Sequence, residues 1–414
     1  MKGSIRGAFL LVLVAAVACR GQEPDPGQVL AEVDSLLPRL EVLSGLEARH
    51  PIRVERQDRA TMRRYVEERF EEEYSPEEFD AFQAAYAAFG LIPDTLDLRA
   101  LLLDLYTEQV VGYYDPERDA LYLVEDAPVR ELRPVLVHEL VHALQDQHAP
   151  LDSLIARERG NDRQTAAQAA LEGHATLVMF AWLLEEQAGT PLDPRQVPEV
   201  GSQLEPLLEA QNDQFPVFRS APRIVRETLL FPYISGASFV QALWRDASAR
   251  SGEAFPAPLG DRLPASTEQV MHPYERFLAE RDHPTEIELA EPPADWTVLY
   301  ENTLGQLETG ILLDEHLGGG ADALAVGWDG DRFRLLESPD GGRALVWYSV
   351  WDDEARADAF AEAYRRILAR RPGRHGSVER LVVRGRPVVR IIDAERDLPL
   401  DSVPRLDVSG MTEA

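Results

Sequence analysis

The predicted fold and site both depend on the stretch Val137-His138-Glu139-Leu140-Val141-His142, which lies in an apolar run between Pro134 and Pro150. The run contains no helix-breaking residue and carries the pattern His-Glu-x-x-His. On a helix, at about 100° per residue, two histidines four apart share one face, so both imidazoles can bind one metal ion. Zinc lowers the pKa of a coordinated water to about 7, and a nearby carboxylate accepts its proton as the water attacks a polarised carbonyl. The stretch predicts a helix with His138 and His142 as zinc ligands and Glu139 as general base.

A buried histidine pair held by hydrogen bonds is the competing interpretation of this motif. The chain has nine histidines in 414 residues and is rich in glutamate, so the pattern arises by accident in about one such chain in fifty. The apolar residues around the motif, and the hairpin-like segment before it, favour the metal site.

A catalytic zinc usually has three protein ligands and one open position, so a third ligand is needed. His148 lies ten residues after His138, which is the metzincin spacing, but that pattern has a glycine where this chain has Gln145. If the helix continues, His148 is displaced by about 9 Å along the axis from His142 and cannot reach the same ion. The spacing therefore argues against His148.

Glu172 is the preferred third ligand. Residues 165 to 187 have the composition and the apolar spacing of a helix, and a carboxylate in the middle of such a helix needs a partner, which a metal would provide. Gly173 and Ala175 are small and would let this helix approach the one with the histidines. An exposed glutamate is the alternative, because glutamate is mostly found at the surface. His174 faces away from Glu172, and we expect it to line the pocket or to hydrogen-bond a metal ligand.

Asp146 is a candidate for orienting a metal ligand. It lies one turn beyond His142, and metal-bound histidines usually donate their second ring N–H to a carboxylate or a carbonyl. A surface pairing between residues i and i+4 is the alternative.

The motifs as a set resemble known families. His-Glu-Leu-Val-His with a downstream helical Glu-Gly-His-Ala resembles the gluzincin type of zinc metallopeptidase. The wider set resembles a family of uncharacterised bacterial metallopeptidases, many of them lipoproteins, over about residues 90 to 350. That resemblance implies His138, His142 and Glu172 as ligands with Glu139 as base, and it implies no particular substrate. The wider set comprises residues 138–148, Glu172-Gly173-His174-Ala175, Phe231-Pro232-Tyr233 with Gly236, and Ser266-Thr267-Glu268-Gln269 with His272-Pro273.

Tyr233 and His272 are candidate catalytic residues beyond the motif. Tyr233 follows Pro232 and precedes Gly236, a pattern that predicts a constrained turn from which the phenol hydrogen-bonds an oxyanion. Core packing of the ring is the commoner role for such a tyrosine. His272 precedes Pro273 and is therefore expected in an extended conformation. As a neutral donor it would stabilise the tetrahedral intermediate, with a structural hydrogen bond as the alternative.

Residues 109–114 and 120–124 predict a short β-hairpin before the motif. Both segments are rich in aromatic and β-branched residues, and Asp-Pro-Glu-Arg-Asp separates them. In metallopeptidases of this shape, such a strand borders the cleft, and an extended peptide can pair with its free edge. A purely structural hairpin is the alternative.

The N-terminus has the pattern of a bacterial lipoprotein signal peptide. Residues 1–18 combine a basic start with an apolar core of eleven residues, too short to span a bilayer. Ala16-Val17-Ala18-Cys19 resembles a lipobox, and Cys19 is the only cysteine in the chain. We expect lipidation at Cys19, a linker over residues 19–27, and a protein exposed outside the cytoplasm in the cell envelope. A plain cleaved signal peptide is the alternative.

The composition fits a soluble body with a large core. Hydrophobic residues make up 45% of the chain, and the net charge is −30. A surface of that charge repels nucleic acid and anionic lipid head groups, so we expect no nucleic-acid partner and a membrane link through acyl chains alone.

The predicted fold class is α+β, mainly α. Residues 28–290 form a zincin-like helical catalytic domain with a short β-hairpin. Residues 291–395 form a small α+β domain in the order strand, strand, helix, strand, strand, and residues 396–414 form a tail.

The sequence predicts a zinc metallopeptidase, with Zn²⁺ as cofactor and a peptide or protein as substrate. One alternative is a non-enzymatic envelope lipoprotein with a structural metal site or a partner-binding role. The mature chain has no cysteine, whereas structural zinc sites are often rich in cysteine, and this argues against that alternative. The other alternative is a zinc hydrolase that acts on non-peptide amides.

Overall fold

A computed structural model describes residues 29–413, except residues 31, 74, 157, 158, 213 and 214. The predicted signal peptide, Cys19 and the linker up to residue 27 lie outside the described residues. Within the described part, no helix combines the length and the apolar character that crossing a membrane requires.

The chain up to residue 280 is mainly helical, as predicted for the catalytic domain. Its helices are α1 (Val33–Ser44), α2 (Arg59–Glu73), α3 (Pro76–Phe89), α4 (Leu98–Gln109), α5 (Val129–His148), α6 (Leu151–Leu154), α7 (Asn161–Ala188), α8 (Val200–Asn212), α9 (Pro216–Ser220), α10 (Arg223–Ser251) and α11 (Thr267–Met271). A 3₁₀ turn (Pro194–Gln196) and a π-helical segment (Pro273–Ala279) lie between these helices or follow them.

Helix α5 carries the His-Glu-x-x-His motif. It begins five residues before Pro134, so this proline lies inside the helix instead of bounding it. It ends at His148, because Ala149 is extended before Pro150. Residues 134–145 of α5 are buried, and the helix packs against α1, α7 and the β-hairpin. The helix is therefore part of the core.

Helices α7 and α10 cross at Gly173 and Gly236. A Cβ atom placed on Gly173 would lie 2.0 Å from the Gly236 carbonyl carbon, so the two backbones touch. The small residues beside Glu172 were expected to admit the histidine-bearing helix α5. That prediction named the wrong helix, because the close approach at Gly173 is made by α10.

Gly173→Ala should lower the free energy of unfolding by about 3 kcal/mol, because the added methyl meets backbone that cannot rotate away. The matched control is Gly310→Ala, also inside a helix, where the nearest atom is an ordinary 3.4 Å away. Alanine has the higher helix propensity, so the control should be neutral or stabilising by up to about 1 kcal/mol. Urea unfolding followed by circular dichroism measures both. Equal stability of the two variants would show that the helices do not cross here.

The predicted β-hairpin is confirmed. Strand β2 (Gly112–Asp115) pairs antiparallel with β3 (Ala120–Val124), and β1 (Arg53–Gln57) adds to β3 in parallel, so β2 lies at the sheet edge. The first strand is shorter than predicted, because residue 109 is the last residue of α4.

The C-terminal part forms the predicted α+β unit. Strands β6 (Trp328–Glu337) and β7 (Arg343–Trp351), helix α13 (Glu354–Arg370), and strands β8 (Arg374–Val383) and β9 (Arg386–Glu395) give the order strand, strand, helix, strand, strand. Strand β5 (Thr297–Asn302) and helix α12 (Gly305–Leu317) precede them, and the antiparallel sheet has the order β5-β6-β7-β9-β8. One hydrophobic cluster includes side chains of both this unit and the helical body.

One strand lies within the predicted tail, and its partner lies just before the predicted boundary near residue 290. Strand β10 (Val408–Glu413) pairs antiparallel with β4 (Thr285–Leu289), and their side chains share a hydrophobic cluster with the C-terminal sheet. Its pairing partner lies more than a hundred residues earlier, and local patterning does not reveal such a partner.

Asp162, at the start of α7, is a buried carboxyl where the two parts of the chain meet. It accepts hydrogen bonds from the backbone N–H and the hydroxyl of Thr267. Burial raises the pKa of Asp162 to about 7. The folded state therefore holds a proton that the unfolded chain releases above pH 4, so this carboxyl makes the protein less stable as pH rises from about 4 to about 7.

Asp162→Asn should flatten this pH dependence. From pH 5 to pH 8, the free energy of unfolding should fall by about 2 to 3 kcal/mol less in the variant than in the parent, because asparagine does not titrate. Urea unfolding at both pH values is the measurement, with the exposed Asp104→Asn as control. A pH dependence identical to that of the parent would mean that Asp162 is ionised in the folded protein.

Candidate metal centre

His138, His142 and Glu172 form a group that can hold a metal ion. Nε2 of His138 lies 2.9 Å from Nε2 of His142 and 3.0 Å from a carboxylate oxygen of Glu172. Nε2 of His142 lies 3.4 Å from the same oxygen. All three side chains are at most 1% exposed. Helix α5 places the two imidazoles one turn apart, and α7 brings the carboxylate to them.

The donor set and its dimensions fit a tetrahedral metal. With zinc bonds of about 2.0–2.1 Å, neighbouring ligand atoms in a tetrahedron lie about 3.3–3.4 Å apart. The observed separations are close to that edge length. The second carboxylate oxygen of Glu172 has no hydrogen-bond partner among the described residues. Nitrogen and oxygen donors of this kind suit zinc, and three protein ligands leave one position for solvent or substrate.

Burial and the charges of the neighbouring ligands set the pKa values of His138, His142 and Glu172. Burial alone would raise the pKa of Glu172, but the two imidazoles outweigh it and lower that pKa. Burial lowers the pKa of His138. At His142 burial also acts to lower the pKa, but the Glu172 carboxylate outweighs it and raises the value. An ionised carboxylate between imidazoles is the state that binds a cation.

Glu139 lies beside this group without joining it. It is completely buried, and neither of its oxygens makes a hydrogen bond among the described residues. Burial raises the pKa of Glu139 to about 8. The backbone N–H of Tyr114 faces this carboxylate and opposes that rise, although its geometry falls short of a hydrogen bond. A buried carboxyl with no fixed partner is suited to accepting and returning a proton.

A chain of hydrogen bonds holds the His142 ring through Nδ1, the nitrogen that does not face Glu172. Nδ1 of His142 lies 2.8 Å from Oε1 of Gln145, whose amide nitrogen donates to the Leu171 carbonyl and contacts Nδ1 of His174. Nε2 of His174 in turn contacts the Ser44 carbonyl. An amide oxygen accepts only, so Nδ1 of His142 carries its hydrogen and Nε2 is left free for a metal.

Gln145, not Asp146, therefore orients His142. The prediction for Asp146 is wrong, because its carboxylate accepts from the Tyr114 hydroxyl and the Leu151 backbone N–H. His174 was expected to line the pocket or to hydrogen-bond a metal ligand; its ring contacts Gln145 and the Ser44 carbonyl, so it reaches His142 only through that amide. The sequence contained one signal for this role: Gln145 is a polar residue three positions after His142 in an apolar run.

Gln145→Leu should weaken the binding of a divalent metal ion about 10- to 100-fold, because His142 loses the acceptor that fixes its ring. Competitive titration of zinc against a chelator measures the effect without reference to activity. The control is Gln147→Leu on the same helix, whose amide binds the partly exposed chain near His50. Equal zinc affinities of the two variants would refute this positioning role.

Tyr233 lies at the metal centre, but on a helix and not on a turn. Helix α10 continues through Pro232, so the predicted turn is wrong. The Tyr233 ring centroid is 6.3 Å from that of His138, and the carboxylates of Glu172 and Glu139 are close enough to act on the pKa of its hydroxyl. Burial, followed by the nearby carboxylates, raises the pKa of Tyr233, so the phenol remains a donor.

The structure does not bring His272 to the metal centre. Its ring contacts Gln306, and the charged groups that act on it are those of the Arg276 region. Thr267, five residues before His272, contacts Asp162. Asp162 lies ten residues before Glu172 on α7, which is about 15 Å along the helix. The oxyanion role predicted for His272 is therefore not supported.

His148 lies at the solvent-facing end of α5. Its Nε2 contacts the backbone carbonyl of Glu47, and its Nδ1 contacts Arg49. Because the helix continues to residue 148, the ring cannot turn back to the ion, and the rejection of His148 as a ligand is confirmed.

Comparison with known proteins covers the C-terminal unit alone. Residues 297–397 match a family described as a domain of unknown function (DUF8575). No curated protein and no solved structure matches the chain. The matched residues comprise β5, α12, the rest of the five-stranded sheet and α13, whereas the metal-binding residues lie outside the match.

Proposed function

We propose that this protein is a zinc-dependent metallopeptidase that hydrolyses peptide bonds. The observation that carries the proposal is the meeting of His138, His142 and Glu172 at one point, with the uncommitted carboxyl of Glu139 beside them. The resemblance of these motifs to gluzincins supports the same reaction.

A zinc ion bound to this group would lower the pKa of a water molecule and polarise a substrate carbonyl. Glu139 accepts the proton of the attacking water and passes it to the leaving amine. The Tyr233 phenol, held near Glu172, donates a hydrogen bond to the oxygen that becomes negative. Gln145 holds His142 in the tautomer that presents Nε2.

The edge of β2 offers a place for the substrate backbone. The Val124 N–H donates to the Val111 carbonyl, so residues 111, 113 and 115 direct their backbone groups toward β3. Gly112 and Tyr114 therefore direct theirs to the opposite side, where the Tyr114 N–H faces Glu139. An extended peptide paired with this edge would run past the general base.

A structural metal site is the second candidate, and the burial of the ligands favours it. Such sites are closed by four protein ligands. The group of side chains that can bind here contains three, within the part of the chain that the structure describes. Because the ligands are buried, a substrate must reach them through an opening of the surrounding helices or along an adjacent cavity.

Metal analysis and a peptide-library assay test the proposal together. We expect one zinc per chain, and cleavage of peptides that chelation abolishes and added zinc restores. One tightly bound zinc with no cleavage of any peptide would favour the structural site instead.

A further inference from the structure

A cavity of about 210 Å³ lies beside the metal centre and reaches away from it along α7 and α10. Tyr233, whose ring lies 6.3 Å from that of His138, is in its wall, as is Gln168, one helical turn before Glu172. Drug-sized ligands occupy cavities of about 300–1,000 Å³, so this one suits a single amino-acid side chain.

The walls of the cavity are largely apolar and aromatic. Phe82, Tyr86 and Tyr106 contribute rings, and Leu102 and Leu229 contribute aliphatic surface. Such walls can cover the methylene stem of a long side chain, and the aromatic faces attract a cation.

A carboxyl closes the end of the cavity. Glu308, on α12, is 5% exposed and accepts a hydrogen bond of 2.7 Å from the Tyr86 hydroxyl, and the Asn161 side-chain amide donates to the same hydroxyl at 3.5 Å. The buried carboxyls of Asp162 and Asp331 are close enough to raise the pKa of Glu308 further. Burial raises the pKa of Glu308 to about 7, and among the described residues no arginine, lysine or histidine lines the cavity. The polar end of the cavity therefore contains neutral hydrogen-bond donors and acidic groups. No cationic side chain among the described residues lines it.

A second buried polar side chain, Gln109, lies in the wall. Gln109 is 5% exposed, and its side-chain amide nitrogen makes no hydrogen bond among the described residues. It precedes β2 by three residues, at the edge proposed for the substrate backbone. This donor is placed to receive a carbonyl of a bound peptide.

We propose that this cavity is a specificity pocket for an arginine or lysine side chain next to the scissile bond, with Glu308 as the residue that selects it. The proposal rests on the proposed peptidase function and adds peptides with a basic residue as the substrate class. It also gives the C-terminal unit a role, because Glu308 comes from the segment that matches the domain of unknown function.

The physical basis is the match between a basic side chain and this cavity. The stem lies along the apolar walls, and the cationic end meets Glu308 in a charge-assisted hydrogen bond. An aliphatic side chain would leave the Glu308 carboxyl facing apolar surface. The net charge of −30 would also draw basic peptides to the protein.

Binding of capped amino acids to the zinc-loaded full chain tests the pocket without reference to turnover. The probes are the N-acetyl amides of arginine, lysine, leucine and phenylalanine. We expect arginine or lysine to bind about 10- to 100-fold more tightly than leucine, and Glu308→Gln to remove that preference. The control is Glu315→Gln, on the same helix but outside the cavity lining. Urea unfolding of Glu308→Gln verifies its fold, and Glu308→Asp, which retains the charge, should keep part of the preference.

The outcomes separate this proposal from the proposed function. Leucine or phenylalanine binding as tightly as arginine, or an unchanged preference in Glu308→Gln, overturns the basic pocket. Cleavage of a peptide library with no preference for a basic residue beside the cut also overturns it and leaves the peptidase intact. Arginine-selective binding without cleavage of any peptide supports the pocket and contradicts the peptidase.

Discussion

Glu139→Gln should lower the rate of peptide hydrolysis about 10²- to 10⁴-fold while the protein still binds one zinc per chain. The amide has nearly the shape of the carboxylate, but it cannot accept the proton of the attacking water. Glu139 is not among the ligands, and its carboxyl makes no hydrogen bond within the described part of the chain, so the substitution should leave the helix pair unchanged. Removing a buried carboxyl with no partner should even stabilise the protein slightly.

Turnover and zinc content, measured on the same preparation, check this result. The matched control is Glu131→Gln, which makes the same chemical change in the first turn of the same helix, away from the ligands. A Glu139→Gln protein as active as the parent would refute the general-base role. Loss of zinc together with activity would instead mean that Glu139 is a ligand.

Glu172→Gln should reduce zinc affinity by more than the 10- to 100-fold expected for a residue that only orients a ligand. The substitution removes the one negative charge that lies between the two imidazoles. In the parent, zinc at a thousand times its dissociation constant should add about 4 kcal/mol to the free energy of unfolding. The variant should gain little at the same zinc concentration.

Urea unfolding with zinc and with a chelator measures this difference. The control is Glu186→Gln, an exposed glutamate near the end of the same helix. If zinc stabilises Glu172→Gln as much as the parent, the carboxylate is not a ligand and the metal lies elsewhere.

The sequence was sufficient for the parts of the site that follow from local spacing. His138 and His142 share a face because they are four residues apart on a helix, and α5 is uninterrupted as the sequence predicts. Glu172 was predicted from the cost of burying an unpaired carboxylate, which is a property of the residue and its apolar neighbours. The C-terminal strands also follow from alternation and turn residues.

Other parts depend on which elements meet in space. Residue 173 must be glycine because a side chain there would meet the backbone of Gly236 on α10. Nothing near residue 173 in the sequence indicates that contact. Gln145 and Asp146 are both polar residues about one turn from His142. Only the packed structure shows that the amide faces the imidazole and the carboxylate faces Tyr114.

Tyr233 and β1 show two further limits of local patterns. Proline and glycine near Tyr233 predict a turn, but packing against α7 keeps α10 helical through Pro232. Strand β1 is largely exposed, so it lacks the apolar alternation by which strands are recognised. In both cases tertiary contacts decide the backbone conformation.

X-ray absorption at the zinc edge of the purified full chain identifies the atoms bound to the metal. We expect two imidazole nitrogens and one carboxylate oxygen at about 2.0–2.2 Å, with a fourth light atom from solvent. In Glu172→Gln the spectrum should change or the zinc should be lost. A spectrum with four protein ligands, or the same spectrum after removal of both histidines, would contradict a metal centre formed by α5 and α7.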